Sequence, residues 1–157
     1  MVNLDATDIR ILNAIQAKGR LSNTELARRI NLSESACLRR VKRLEEEGVI
    51  EAYVALLNQE RIGRAMNAFV ELRLSVQNDE TLLAFETAVG ECDDVMACYF
   101  MTGDADYLLH IPVTDLAHYE EIYRSHLSRF PHVASIRTSF ALRTVVKKTA
   151  FKLRGAG

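Results

Sequence analysis

Three helix starts crowd into residues 4–37, and their spacing leaves that stretch few ways to fold. Leu4-Asp5, Leu21-Ser22 and Leu32-Ser33 each set an apolar residue before a side chain able to cap a helix, and Ile9, Leu26 and Cys37 follow five positions after each leucine. That is the N′-to-N4 spacing of a hydrophobic staple around an N-cap. Glu25 stands three residues after Ser22, which predicts a capping box in which each side chain satisfies the other's orphan backbone donor. Three short helices, the last two only a few residues apart, predict a helix-turn-helix.

The third helix decides what such a module is for. At about 100° per residue, Cys37, Val41 and Leu44 fall on one side, and Ser35, Arg39, Lys42 and Arg43 fall on the other. Arginine and lysine suit phosphates and guanine edges, and the helix start at Ser33 offers backbone N–H groups to a phosphate. Ser33, Ser35, Arg39, Lys42 and Arg43 are therefore the candidate DNA-binding residues. Arg40 flanks the apolar stripe and reads as structural, and Glu45, Glu46 and Glu47 lie where they can pair with cations on the same helix.

Net charge is only −1, yet residues 28–43 carry Arg28, Arg29, Arg39, Arg40, Lys42 and Arg43 against Glu34 alone. Residues 59–157 carry 11 basic and 13 acidic side chains, which predicts a role other than holding DNA for that half. A chain of 157 residues, 48% apolar, has room for one medium domain or two small ones. No run approaches the roughly 18 apolar residues of a membrane span, and the start lacks the basic and apolar regions of a signal peptide. A soluble, cytoplasmic chain with no membrane partner is expected. Cys37, Cys92 and Cys98 are odd in number and lack a C-x-x-C spacing, so buried free thiols are expected, with neither disulfides nor zinc. His110, His118, His126 and His132 show no ligand pattern.

Gly48 is placed to end the third helix, and residues 49–57 are rich in strand formers, which predicts a wing or connecting strand. Residues 58–63 collect Asn, Gln, Glu, Arg and Gly, so the junction falls there: 1–58 as a helix-turn-helix domain with its connecting strand, 59–157 as a second domain. Residues 66–76 then alternate apolar and polar side chains, the mark of a half-buried strand. Asp79 is expected to cap a helix running to Val89. Residues 95–101 and 107–113 read as strands around the turn residues Gly103-Asp104-Ala105-Asp106. Asp115 is expected to cap a helix with Leu116, Tyr119, Tyr123 and Leu127 on one face, and residues 133–142 form a last strand after Pro131. This order is the ferredoxin-like βαββαβ arrangement, an α+β fold with both helices on one face of the sheet. Phe69, Phe100 and Phe140 are expected where a second subunit covers the other face.

Several segments resemble the leucine-responsive regulator/AsnC family of prokaryotic transcription factors. They are Leu4-Asp5 with Asp8 and Ile11-Leu12, Gly19-Arg20-Leu21-Ser22, Glu25-Leu26-Ala27, Leu32-Ser33, Cys37-Leu38-Arg39-Arg40-Val41, and Arg43-Leu44-Glu45-Glu46-Glu47-Gly48-Val49-Ile50. Thr102-Gly103-Asp104-Ala105-Asp106-Tyr107-Leu108-Leu109 resembles the signature of that family's effector domain. The likeness runs from residue 3 to residue 153. It implies a winged or near-winged helix-turn-helix joined to a βαββαβ domain that senses amino acids. It also implies homodimers built through the sheets and further assembly into tetramers or octamers. Two departures stand out. Asn31 occupies the turn position where the family has Gly, and asparagine tolerates the left-handed conformation, so the turn is expected to survive. Ser33-Glu34-Ser35-Ala36 lacks the Pro common near the start of the recognition helix, and Glu34 repels phosphate, which predicts a different operator preference.

The expected partners are double-stranded DNA and a free amino acid, with no cofactor and no metal. A zwitterion needs acceptors for its ammonium and donors for its carboxylate. Asp104 and Asp106 offer the first, and the Gly103 N–H with the hydroxyls of Thr102, Thr138 and Ser139 offers the second. With the flanking Met101 and Tyr107 these are the candidate effector residues, at a pocket that the resemblance places between dimers. Two other classes are open. Asp104 and Asp106 could form an enzyme's acid/base pair or bind a metal, but no His, Cys or Ser adjoins them and turn chemistry explains them, so no catalytic residue is assigned. A purely architectural DNA-compacting protein would use the Gly103 loop only as a turn.

Overall fold

The computed structural model describes residues 2–153, which form two compact units. One holds the chain up to Leu56 together with the segment from Val146 onward, and the other is Leu57–Val145. The first unit is three helices: α1 (Ala6–Ala17), α2 (Asn23–Ile30) and α3 (Glu34–Glu46). Each begins at the expected cap. Asp5 accepts from the Thr7 and Asp8 N–H groups, Ser22 and Glu25 close a capping box, and Ser33 accepts from Ala36. Asp5 with Asp8 closes a second box, with Asp8 in the place that Glu25 holds in the first. Ile11, Leu12, Leu26, Ala27, Ile30, Cys37 and Leu44 make the core.

The turns also follow the residue types. Asn31 takes the left-handed conformation (φ 56°, ψ 51°) that ends α2, and Gly48 (φ 68°) follows α3. Residues 49–57, by contrast, form no strand. Strand formers become a strand only where a neighbour takes their backbone hydrogen bonds, and among the described residues no other segment does so here. The division between units falls at Leu56/Leu57, two residues before the expected 58/59. The end of the chain, expected in the second domain, closes on the first. Phe151 N–H donates to Gln16 Oε1 at 2.7 Å, its carbonyl accepts from Gln16 Nε2 at 3.3 Å, and Leu153 packs on the helical core.

The second unit runs β1 (Met66–Leu74), α4 (Asp79–Gly90), β2 (Ala97–Phe100), β3 (Tyr107–Val113), α5 (Leu116–Ser125), a 3₁₀ turn (Leu127–Arg129) and β4 (Val133–Ala141). The sheet order is β2-β3-β1-β4, antiparallel throughout, the ferredoxin-like arrangement. One face of the sheet buries Ala68, Val70 and Leu72 of β1 and Tyr107, Leu109, Ile111 and Val113 of β3 against Phe85 and Val89 of α4 and Ile122 of α5. Three local differences have local causes. Asn78, not Asp79, caps α4, its Oδ1 accepting the Thr81 N–H at 2.8 Å. On α5 the deepest residue is Ile122, while Leu116 and Tyr123 are exposed. Cys98 is exposed because its short strand lies at the sheet edge, whereas Cys37 and Cys92 are buried.

Strand parity divides the three phenylalanines. Phe69 faces away from the helices and stacks on His110, with ring centroids 5.0 Å apart. Phe140 pairs with buried Ala68 and lies edge-on to Tyr119 of α5, so it faces the helices, contrary to expectation. Phe100 pairs with Tyr107 and shares its face. Besides Phe69 and His110, the open face carries Tyr99 and Leu108, with Glu71 and Arg137 3.6 Å apart beside them.

Candidate nucleic-acid interface and effector loop

The apolar stripe of α3 is buried at Cys37 and Leu44 and half-buried at Val41, which fixes the opposite side outward. Ser35, Arg39 and Lys42 are exposed there, and a groove of ≈ 650 Å³ runs along them, lined also by Leu38, Arg43, Glu46 and Asp5. Ser33 Oγ and Ser35 Oγ lie 3.3 Å apart at the helix start. Asn23 of α2 donates to the Glu34 carbonyl at 3.0 Å and so ties the start of α2 to the start of α3. Among the described residues, neither Arg39 nor Lys42 has a hydrogen-bond or ion-pair partner.

Arg43, expected among these reading residues, is committed elsewhere. Its guanidinium donates to Asp8 Oδ2 at 2.6 Å, and Arg40 donates to Asp8 Oδ1 at 2.8 Å and Asp5 Oδ2 at 2.7 Å. The Asp8 side chain has no solvent exposure, so its charge must be answered within the protein, and two guanidinium groups answer it. Arg43 and Arg40 thereby bolt α3 to the start of α1. The Asp8 backbone N–H first, and then Arg40, pull the Asp5 carboxyl down from 3.8 to about 2; contact with Asp5 and then Asp8 raises the Arg40 pKa. The one sequence signal for this bolt is Asp8 standing three residues after Asp5, at capping-box spacing.

In the second unit the loop from β2 to β3 splits the expected effector residues into two groups. Asp106 is buried: its carboxylate accepts the Leu74 N–H at 2.7 Å and a hydrogen bond from Gln77 Nε2, while its own N–H donates to the Leu72 carbonyl at 2.9 Å. Asp106 thus pins the loop to the end of β1, with each carboxylate oxygen already accepting a hydrogen bond from within the domain. Tyr107 is 1% exposed, faces the helices and donates to Glu86 Oε1 at 2.7 Å; burial first, then that carboxylate, raises its pKa. Met101, Thr102, Gly103 and Asp104 remain exposed, and the Thr102 and Asp104 side chains have no partner among the described residues. Gly103 holds φ 122°, a value that a side chain would strain.

Thr138 and Ser139 do not share a site. Thr138 faces the helices and contacts the Tyr119 hydroxyl, whereas Ser139 is exposed on the open face opposite Phe69. Both stand on the far edge of the sheet from β2, three strand spacings of about 4.8 Å away. Within the described residues no cluster of three metal-ligating side chains occurs, and no helix is long and apolar enough to cross a membrane.

The sequence pattern of the Lrp/AsnC ligand binding domain matches residues 67–151, and that of a winged helix-turn-helix DNA-binding domain matches residues 4–51. The chain belongs to the Lrp/AsnC family. As a member it is a transcriptional regulator that combines a DNA-binding helix-turn-helix with a ligand-binding domain. It is 43% identical to the Bkd operon transcriptional regulator of Pseudomonas aeruginosa over 96% of this chain and 98% of that one. Identity to the leucine-responsive regulatory protein of Escherichia coli is 38%, covering 91% and 87% of the two chains. A transcriptional regulator of Neisseria meningitidis, solved as an L-Met complex, superposes with a TM-score of 0.89 at 34% identity over 96% of this chain and 97% of that one.

Proposed function

We propose that this Lrp/AsnC regulator sets α3 in the major groove of double-stranded DNA, with Arg39 and Lys42 as its cations and Ser33 and Ser35 as its hydroxyls. A free amino acid bound at residues 101–104 controls it. The observation that carries the reading is a capped helix, fixed by its apolar stripe, on which Arg39 and Lys42 have no partner among the described residues while Arg40 and Arg43 are paired with Asp5 and Asp8. The L-Met complex of the Neisseria relative supports a zwitterion as effector. Asp104 takes its ammonium, and the Gly103 N–H and the Thr102 hydroxyl take its carboxylate. Ser139 joins that site only when another copy of the chain brings it there.

The working form is a homodimer joined through the open sheet faces, assembled further into a tetramer or octamer, and the effector shifts the balance among these forms by its differential affinity. The protein acts in the cytoplasm as a regulator and not as an enzyme, and it uses no cofactor. Arg39→Ala is expected to cost about 1–3 kcal/mol of DNA binding, and to relax preference at one base position, in selection from random duplexes. Asp104→Ala is expected to abolish the amino-acid response in thermal shift while leaving effector-free DNA binding intact. Parent-like binding by all of the Ser35, Arg39 and Lys42 variants overturns the recognition face. Absence of any response of the parent to millimolar amino acids overturns the sensor.

A further inference from the structure

The chain leaves the second unit at Val145 and returns to the helical unit, and every charged side chain it carries there is cationic. Lys147, Lys148 and Lys152 are exposed, no acid occurs anywhere in residues 146–157, and Arg154 adds a fourth cation in the sequence. Among the described residues, none of the three lysines has an ion-pair or hydrogen-bond partner. The segment is fastened in place. Both main-chain groups of Phe151 are held by the Gln16 side chain of α1, and Leu153 packs on the core of the three helices. A net balance over residues 59–157 conceals this, because the cations of the segment are averaged with the acids of the sheet domain.

Counted by folded unit, the charges separate. Residues 1–56 carry nine Lys and Arg against eight Asp and Glu, almost neutral for a module that must hold a polyanion. Residues 146–157 add four cations and no acid, raising that unit to +5. Residues 57–145 carry seven cations and thirteen acids, a net of −6 that opposes approach to DNA. We infer that the C-terminal segment is a second DNA-binding element, in which Lys147, Lys148 and Lys152 contact duplex phosphates without reading sequence. Lysine is a mobile point charge on a long stem, suited to phosphate contact and poorly suited to bidentate base reading. The inference rests on the reading that the helical unit binds duplex DNA.

The test uses the full chain with Lys147→Gln, Lys148→Gln and Lys152→Gln combined, against random-sequence duplexes about four helical turns long. Affinity is measured across a salt series, with Arg39→Ala in parallel. The expected result is a loss of about tenfold or more at low salt, and a log K against log salt slope shallower by about 0.9 for each phosphate that the variant no longer neutralises. Base preference and melting temperature stay unchanged, and lysine-to-arginine replacement at the same three positions retains binding. Unchanged affinity and slope, beside a loss in Arg39→Ala, overturns the inference and leaves the α3 reading standing. A changed oligomeric state by light scattering with an unchanged slope also overturns it, because the lysines then serve an interface between copies. Weaker binding in the lysine variant alone, with base preference also unrelaxed in Arg39→Ala, supports the segment and overturns the role of Arg39. A parent that binds no duplex overturns both.

Discussion

Asp5 does three jobs with one carboxylate: it caps α1, anchors Arg40 and stands at the edge of the α3 groove. Its pKa in the folded protein, about 2, lies below its ordinary value of 3.8. A depressed acid stabilises the fold fully above its unfolded pKa and loses that contribution as pH falls through its folded pKa. The helical unit should therefore weaken as pH drops from 3.8 toward 2, and Asp5→Asn, which keeps an acceptor at the cap but does not titrate, should flatten that part of a melting-temperature profile. An equally steep acid profile in the variant would count against this origin. Asp106 makes a second case. Asp106→Ala strands the buried Leu74 N–H and should destabilise the sheet unit by about 2 kcal/mol in denaturant melts. Asp104→Ala, at an exposed and unpartnered side chain, should leave stability within error. The sequence showed two acids in a tight turn but not which of them turns inward, because Leu74 and Gln77 lie some thirty positions away. Arg43 escaped for the same reason, its partner Asp8 being 35 residues distant.

At the scale of elements, local signals were read well where an element's own residues decide it and poorly where a neighbour does. Caps, staples and strand periodicity all lie within a few residues, and they give the three helices, the βαββαβ order and the bounds of Tyr107–Val113. Residues 49–57 have strand composition without a strand partner. The inward parity of Phe140 depends on which face of β4 meets the core, and Ile136, four positions earlier on the same side, packs on it. Asn31 shows how much a single turn residue governs. In its left-handed conformation it ends α2 and aims the chain into α3, with the Leu32 N–H donating to the Ala27 carbonyl at 3.0 Å. Asn31→Ala should cost about 1 kcal/mol, because a Cβ without a local hydrogen-bonding group opposes that conformation, whereas Asn31→Gly should be neutral or slightly stabilising. Thermal melts of the two variants decide it; equal destabilisation would show that the side chain of Asn31, and not its backbone, holds the turn.

For the whole molecule the decisive surface is the open face of the sheet, where Phe69 stacks on His110 amid Tyr99 and Leu108. Tyr99 is 57% exposed and Phe69 38%, so aromatic area lies open on the side of the sheet away from α4 and α5. Burying one such side chain against a second copy is worth about 1.5–3 kcal/mol, and a carboxylate trapped at the same spot costs at least as much unless a cation meets it. In the proposed homodimer, Phe69→Glu should therefore shift the balance toward monomer at micromolar concentration, as read by light scattering. The sheet unit should keep its own melting transition, because the core lies on the other face. DNA binding then reports the coupling. Two α3 helices on one dimer reach two half-sites at a high effective concentration, and a monomer forfeits that gain. The variant should bind a palindromic site hardly better than a single half-site, whereas the parent should strongly prefer the palindrome. If Phe69→Glu stays dimeric and keeps that preference, the copies meet through another surface.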